Sequence, residues 1–300
     1  METNKKYDIR LIGLDLDGTV LTTDKILTAH TKSILESCLA RGIQILPATG
    51  RARAAIPDYL REIKGLRYML LSNGASIYDL KEDKEIYSNC IPWERAMELI
   101  EYLDQFGTYY DFYALGRGWS EARFYDHTED YNIEPHIKKL VLSSRTRIDS
   151  MRQWMEINRA PVEKINMFFA SLERRKEVYE ELLTVPDLAP TNSLSNNIEI
   201  NYYTCSKGDA LMSLAKILGL APHQVMACGD GNNDLSMIKA AGIGVAMANG
   251  EDCVKEAADY ITKTNDEEGV ACAIEHFIDL RGSGVNMCGN VNVRAGILSK

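Results

Sequence analysis

Residues 11–20, LIGLDLDGTV, place two carboxylates one residue apart at the end of an apolar run. The run predicts a buried strand, and because side chains alternate between the faces of a strand, Asp15 and Asp17 project to the same side. Two carboxylates this close repel each other, and each ionises readily only with a cation nearby. Taken alone, the stretch predicts either a divalent-metal site at a strand end or a strand followed by a solvated acidic turn.

Strands and helices alternate on both sides of a long central segment. Residues 28–42 (TAHTKSILESCLARG) carry apolar residues on one helical face and end in glycine, and strands follow at residues 43–50 (IQILPATG) and 67–74 (RYMLLSNG). The alternation returns after residue 203, from the helix SKGDALMSLAKILG to the helix EEGVACAIEHFIDL. This order predicts an α/β fold, with a doubly wound parallel sheet made from both ends of the chain.

The central segment has a different character. It is richer in aromatic residues, contains all three tryptophans, and combines hairpin-like pieces with helices at residues 92–107 and 172–183. We therefore expect a separate α+β cap domain that is inserted into the sheet domain. The predicted division is 1–82 and 200–280 for the two parts of the core domain, 83–199 for the cap and 281–300 for a C-terminal tail.

Composition and charge narrow the classes of function. The chain has 300 residues and a net charge of −9, which argues against nucleic acid or an anionic membrane as the main partner. The N-terminus lacks the apolar core of a signal peptide, and no apolar segment is long enough to span a bilayer. Seven scattered cysteines without a C-x-x-C pair are typical of reduced thiols. The sequence predicts a cytoplasmic protein, either a monomer or a homodimer.

Polar motifs follow four strands of the predicted sheet. They are DLDGT at 15–19, ATGR at 48–51, SNG at 72–74 and GDGNND at 229–234. Ligands of a doubly wound sheet bind at the carboxyl ends of its strands, so these loops are expected to converge. The spacing fits neither an EF-hand loop nor a P-loop.

In this order, the motifs resemble those of the haloacid dehalogenase superfamily. The resemblance rests on Asp15 to Thr19 in DLDGT, Thr49 in ATGR, Lys207 in SKGDAL and Asp230 in GDGNNDLSM. The inserted cap lies where the family has its C2 caps, and the residues after Asp230 are similar to the Cof-type branch, subclass IIB. The resemblance covers residues 7–280 and weakens inside the cap.

The resemblance implies a Mg²⁺-dependent phosphatase that hydrolyses a small phosphorylated metabolite. Asp15 is then the nucleophile that forms an aspartyl-phosphate, and Asp17 is the general acid and base. Mg²⁺ is expected on one carboxylate oxygen of Asp15, the backbone carbonyl of Asp17 and the carboxylate of Asp230. A sugar phosphomutase of the same superfamily and a non-catalytic sensor of phosphate or metal are the alternatives.

Further positions carry binding roles that the same resemblance implies. The predicted phosphate-binding residues are Leu16, Thr49, Gly50, Lys207 and Asn233. Asp234 is expected to orient Lys207 or the waters of the metal. Taken singly, Thr49 also fits a helix cap, Lys207 a solvated helix start, and the two aspartates of GDGNND turn or capping residues.

Two regions are less determined by their motifs. Arg51 and Arg53 are expected to pair with surface acids rather than line the phosphate site, and the pair Asn73-Gly74 is expected to form a turn at the hinge. In the cap, residues 109–127 (YYDFYALGRGWSEARFYDH) offer Tyr, Arg and His side chains suited to a sugar, a flavin or a pyridoxal ring, and they fit a packed sheet with an exposed edge equally well. Tyr113 and Arg123 are the residues we expect to influence the choice of substrate.

Overall fold

A computed structural model describes residues 7–131 and 135–280, so the predicted tail at 281–300 lies outside the described residues. The strands are β1 Leu11–Asp15, β2 Gln44–Ala48, β3 Tyr68–Leu71, β4 Ser76–Asp79, β5 Lys84–Ser88, β6 Tyr109–Ala114, β7 Arg117–Glu121, β8 Arg145–Ile148, β9 Lys164–Phe168, β10 Leu188–Thr191, β11 Asn197–Tyr202, β12 Val225–Gly229, β13 Ile243–Ala246 and β14 Tyr260–Ile261. The helices are α1 Ala29–Ala40, α2 Asp58–Arg61, α3 Trp93–Asp104, α4 Ala122–Tyr125, α5 Pro135–Ser144, α6 Met151–Asn158, α7 Leu172–Leu182, α8 Lys207–Ile217, α9 Leu235–Ala240, α10 Asp252–Ala257 and α11 Gly269–Phe277. Within these ranges, no helix has both the length and the apolar character needed to cross a membrane.

The first sheet has the strand order β14-β13-β12-β1-β2-β3-β4-β5. Neighbouring strands are parallel from β14 to β3, and β4 and β5 add antiparallel pairs at one edge. One apolar cluster contains Ile34 of α1 and Ile274 of α11, and another contains Leu211 of α8 and Met237 of α9. Helices thus cover both faces, and the predicted doubly wound α/β fold is confirmed.

The second sheet has the order β10-β11-β9-β6-β7-β8 and is antiparallel except between β7 and β8. Its apolar cluster joins Phe112 and Ile165 of the sheet to Leu99 of α3, Met155 of α6 and Val178 of α7. Residues of opposite character alternate along these strands, so the other face of the sheet is polar. We call the part built on the first sheet the core and the part built on the second sheet the cap.

The chain passes between the two sheets a few residues later than predicted. Strand Lys84–Ser88 pairs with Ser76–Asp79 in the first sheet, although residue 83 was the expected start of the cap. Strand Asn197–Tyr202 pairs with Lys164–Phe168 in the second sheet, beyond the expected end at residue 199. A hairpin has the same pattern whichever sheet it joins, so the sequence alone misplaces these boundaries.

Five cysteines agree with the expectation of reduced thiols. Cys38, Cys90, Cys205, Cys228 and Cys253 are free, as predicted.

Candidate active site

The four polar motifs follow strands that lie side by side. Strands β12, β1, β2 and β3 are consecutive neighbours and parallel, so their carboxyl ends meet at one edge of the sheet. Asp15 is the last residue of β1, and Thr49 and Asp230 come directly after β2 and β12. The structure thus brings the loops together where the sequence placed them.

Lys207 lies between two carboxylates. Its Nζ is 2.6 Å from Asp15 Oδ1 and 2.6 Å from Asp234 Oδ1, and all three side chains are buried. Although burial alone lowers the pKa of Lys207, the charges of Asp15 and Asp234 raise it above its ordinary value. Lys207 is therefore a buried cation, and the interpretation as a solvated helix start is wrong.

Helix α8 positions this lysine at its first turn. Ser206 is the N-cap, and its side chain accepts a hydrogen bond from the backbone N–H of Asp209. A Cβ at Gly208 would lie 2.4 Å from the backbone oxygen of Ser236, so the glycine lets α8 approach the first turn of α9. Lys207 thus enters the site from a helix with a fixed start.

Three carboxylates form a cluster that suits a cation. Asp15, Asp230 and Asp234 each place an oxygen within 4.8 Å of the others. Burial and the Asp234 carboxylate raise the pKa of Asp15 well above its ordinary value and that of Asp230 to about 6. A bound divalent cation would offset both the repulsion and the burial, so these residues fit a metal.

The glycine and threonine of DLDGT hold Asp230 in this cluster. Gly18 has φ +94°, and a Cβ on it would lie 2.4 Å from Asp230 Oδ2. Thr19 donates a hydrogen bond from Oγ1 to Asp230 Oδ1 at 2.7 Å. Asp234 instead uses Oδ2 to accept from the amides of Asp230 and Gly231, at 2.9 and 3.0 Å. The backbone conformation at residue 18 and the approach of Asp230 therefore both require glycine at that position.

Asp17 is held by Arg51, which was expected to pair with a surface acid. Arg51 donates from Nε and Nη2 to the two oxygens of Asp17, at 2.9 and 2.7 Å, and Lys25 Nζ lies 3.0 Å from Oδ1. Although burial raises the pKa of Asp17, the contacts with Arg51 lower it below its ordinary value. The expectation that Arg51 pairs with a surface acid is wrong. Arg53 instead lies over the Tyr78 ring, 4.6 Å from its centroid.

The predicted phosphate-binding residues differ in the groups that they can offer to a ligand. Thr49 is buried, and its Oγ1 accepts from the backbone N–H of Arg51 at 3.1 Å, so it caps a turn rather than a helix. A Cβ at Gly50 would lie 2.9 Å from Asn73 Oδ1 and 3.3 Å from Lys164 Nζ. The Leu16 side chain is fully buried in the apolar core, which leaves only its backbone for a ligand.

Residues 12–274 match the family of haloacid dehalogenase-like hydrolases. The chain belongs to this family. The predicted superfamily and Cof-type branch are thereby confirmed, and the chain is a haloacid dehalogenase-like phosphatase.

Relatives and solved structures agree with this membership. The 5-amino-6-(5-phospho-D-ribitylamino)uracil phosphatase YcsE of Bacillus subtilis (strain 168) is 31% identical over 90% of this chain and 96% of its own length. The pyridoxal phosphate phosphatase YbhA of Escherichia coli (strain K12) is 26% identical over 87% of this chain and 96% of its own. A solved haloacid dehalogenase-like hydrolase from B. subtilis superposes with a TM-score of 0.78 at 27% identity, covering 90% of this chain and all of that one.

Asn73 joins the phosphatase core to its cap. It has φ +61°, and its Nδ2 donates to Glu199 Oε2 at 2.5 Å and to Asn201 Oδ1 at 3.3 Å. Its Oδ1 accepts from Asn233 Nδ2 at 3.3 Å. The loop predicted as a hinge turn is therefore a contact between the core and the cap, and it also reaches the GDGNND loop.

The N-cap of α8 gives a first testable prediction. Ser206→Ala is expected to lower the free energy of unfolding by about 1 kcal/mol, because the Asp209 amide loses its acceptor. Urea denaturation followed by circular dichroism measures the change. The control is Ser213→Ala in the middle of the same helix, where we expect a smaller effect. Equal stability of the Ser206→Ala variant and the wild type would show that the Ser206 N-cap does not stabilise the start of α8.

Proposed function

We propose that the phosphatase hydrolyses the phosphomonoester of a small metabolite through an aspartyl-phosphate on Asp15. The observation that carries the proposal is the buried contact of 2.6 Å between Asp15 and Lys207, beside the Asp230 carboxylate. A nucleophile held next to two positive charges, the lysine and a metal, can meet an anionic phosphate without net repulsion.

The proposed location of the protein in the cell is the cytoplasm.

In the first step, a carboxylate oxygen of Asp15 attacks phosphorus and the bond between phosphorus and the ester oxygen breaks. The leaving alkoxide takes its proton from Asp17. Because the pair with Arg51 favours the ionised carboxylate, Asp17 has to leave Arg51 before it carries that proton. In the second step, Asp17 accepts a proton from water as the water oxygen attacks phosphorus, and Asp15 is released as a carboxylate.

The proposed cofactor is Mg²⁺, held by the Asp15 and Asp230 carboxylates and the backbone carbonyl of Asp17. When bound, it supplies positive charge that the phosphoryl oxygens and the Asp15 carboxylate share. Asp234 is already engaged by Lys207 and by two backbone amides, so its proposed role is to orient Lys207. The carboxylate cluster fits this assignment by its chemistry, because hard divalent ions prefer oxygen ligands.

The phosphoryl oxygens also need hydrogen-bond donors from the protein. We propose that the Leu16 and Gly50 amides, the Thr49 hydroxyl, Lys207 and the Asn233 side chain provide them. Lys207 meets the requirement best, because its position is fixed by Asp15 and Asp234 before substrate arrives. Donors that are already in place do not have to reorganise during the reaction.

Removing divalent ions tests the metal and the function together. Treatment with EDTA is expected to abolish release of phosphate from acetyl phosphate, and added Mg²⁺ to restore it, because the carboxylate cluster otherwise repels the substrate. The readout is inorganic phosphate over time, first with acetyl phosphate and then with a panel of sugar, pyridoxal and nucleotide phosphates. Undiminished turnover in EDTA would contradict the metal assignment. Phosphate returned to a sugar, with little free phosphate, would contradict hydrolysis and indicate a mutase.

A further inference from the structure

The polar face of the cap sheet is buried and lies over the phosphate loop. Its side chains come from alternate positions of three neighbouring strands: Asp111 and Tyr113 of β6, Lys164 and Asn166 of β9, and Asn197, Glu199 and Asn201 of β11. The polar face of an antiparallel sheet is commonly solvated, and burying it is unfavourable unless each group finds a partner. A packing surface needs none of these groups, so the face has the composition of a binding site.

Lys164 connects this face to the core. Its Nζ donates to the carbonyl oxygen of Gly50 and to Glu199 Oε1, each at 2.7 Å, and lies 4.7 Å from the centroid of the Tyr113 ring. The guanidinium carbon of Arg145 is also 4.7 Å from that centroid. Arg145 in turn donates from Nε to Asp111 Oδ2 at 2.9 Å. A continuous polar strip therefore runs from the phosphate loop to Asp111.

Asp111 has one oxygen without a partner. Its side chain is fully buried, and Oδ2 accepts from Arg145 and, at 3.2 Å, from the Tyr109 hydroxyl. Among the described residues, Oδ1 is the one buried side-chain nitrogen or oxygen that makes no hydrogen bond. A buried carboxylate oxygen without a donor is costly, and a donor from a ligand would remove that cost.

The glycine at position 118 shapes the same place. A Cβ there would lie 2.5 Å from Arg145 Cδ and 3.2 Å from Tyr113 Cε1. Because glycine has no Cβ, the Arg145 side chain can lie across the sheet toward Asp111, and only 4% of that side chain is exposed. Both Asp111 and Arg145 thus have fixed positions on the face.

We propose that Asp111, with Arg145 and Asn166 beside it, forms a subsite for the leaving group that selects a neutral polyhydroxylated alcohol. The inference rests on the proposed function, because it names the ester that the core would hydrolyse. Asp111 Oδ1 accepts from one hydroxyl, and Asn166, which lies opposite Asp111 in the sheet, offers an amide to another. Because Asp111 is fully buried and Arg145 lies against it, the alcohol reaches Oδ1 only when the side chains that cover it move.

Charge and shape decide against the other substrate classes. Each cation of the strip is paired with a carboxylate, Lys164 with Glu199 and Arg145 with Asp111, so the strip offers no net charge to a second phosphate. The Tyr113 ring is buried and already contacts both cations, so it offers no free face to a flavin or pyridoxal ring. Hydroxyl groups both donate and accept, which matches the carboxylate and amide groups on this face.

The test compares two esters with the same number of carbons, ribitol 5-phosphate and n-pentyl phosphate, with acetyl phosphate as a small reference substrate. The wild type is expected to favour ribitol 5-phosphate over pentyl phosphate in kcat/KM by about tenfold or more. Asp111→Asn loses the charged acceptor and is expected to lower kcat/KM for ribitol 5-phosphate by about tenfold, mainly through KM. The values for pentyl and acetyl phosphate should change by less than about twofold.

Asp104→Asn is the matched control, because Asp104 is a cap carboxylate that pairs with Arg123 and the Tyr110 hydroxyl instead. Asn166→Leu is a second variant that changes no charge, and it should show the same selective loss as Asp111→Asn. An equal loss on all three substrates, or no loss on ribitol 5-phosphate, would overturn the subsite while the phosphatase activity stands. Absence of acetyl phosphate turnover in the wild type would instead overturn the proposed function.

Discussion

Asp15→Asn is expected to lower kcat for p-nitrophenyl phosphate by about ten-thousandfold or more, because an amide cannot take the place of the attacking carboxylate. The side chain keeps its size, so Lys207 can still donate a hydrogen bond to the amide oxygen that replaces the carboxylate oxygen. Steady-state release of p-nitrophenol at saturating Mg²⁺ measures the loss, and circular dichroism reports whether the variant folds.

Asp252→Asn is the control for this variant. Asp252 belongs to the same core, and 96% of its side chain is exposed, so we expect wild-type turnover. A folded Asp15→Asn protein that keeps more than about a tenth of wild-type activity would rule out Asp15 as the nucleophile.

The second large effect is expected for Lys207→Met, which removes the cation between Asp15 and Asp234. Methionine fills similar space but leaves two buried carboxylates without compensation, so kcat should fall by about a thousandfold. The free energy of unfolding should fall by about 3 kcal/mol, as when one partner of a buried ion pair is removed. Turnover of acetyl phosphate and urea denaturation of the same preparation measure the two effects.

Lys216→Met tests whether the loss is specific to the buried position. Lys216 lies on the same helix, α8, and is exposed, so its replacement should leave both quantities close to the wild-type values. Similar effects of the two substitutions would show that Lys207 acts only through the stability of the helix.

The sequence was sufficient to predict the fold and the edge of the sheet at which the site forms. Alternating strands and helices require a parallel sheet, and parallel strands end on one side, so Asp15, Thr49 and Asp230 had to converge. The sequence shows a glycine after the second aspartate, but the need for it, the close approach of Asp230 to Gly18, became visible only in the structure.

Arg51 and Asn73 could not be assigned from the sequence, because their partners lie far along the chain. Arg51 follows β2, the neighbour of β1, and this adjacency was the one available signal that it meets Asp17. Asn73 reaches Glu199 only because the cap folds back over the core.

In the cap, the alternation of polar and apolar residues indicated strands, but it did not show which polar residues are neighbours. Strands KINMF and NIEINY alternate polar and apolar residues, but only the pairing of β6, β9 and β11 brings Asp111 beside Asn166. Of the two residues expected to influence substrate choice, Tyr113 lies on the polar face. Arg123 pairs with Asp104 at 2.6 Å and lies over Phe124, so the expectation for Arg123 finds no support in its contacts.

The most direct test of the central claim is the stereochemistry at phosphorus, measured on the wild-type enzyme with an ester made chiral by oxygen isotopes. Attack by Asp15 followed by attack by water gives two in-line displacements, so the account predicts that phosphate transferred to an acceptor alcohol shows net retention of configuration. Net inversion would indicate a single direct displacement by the acceptor and would contradict an aspartyl-phosphate on Asp15.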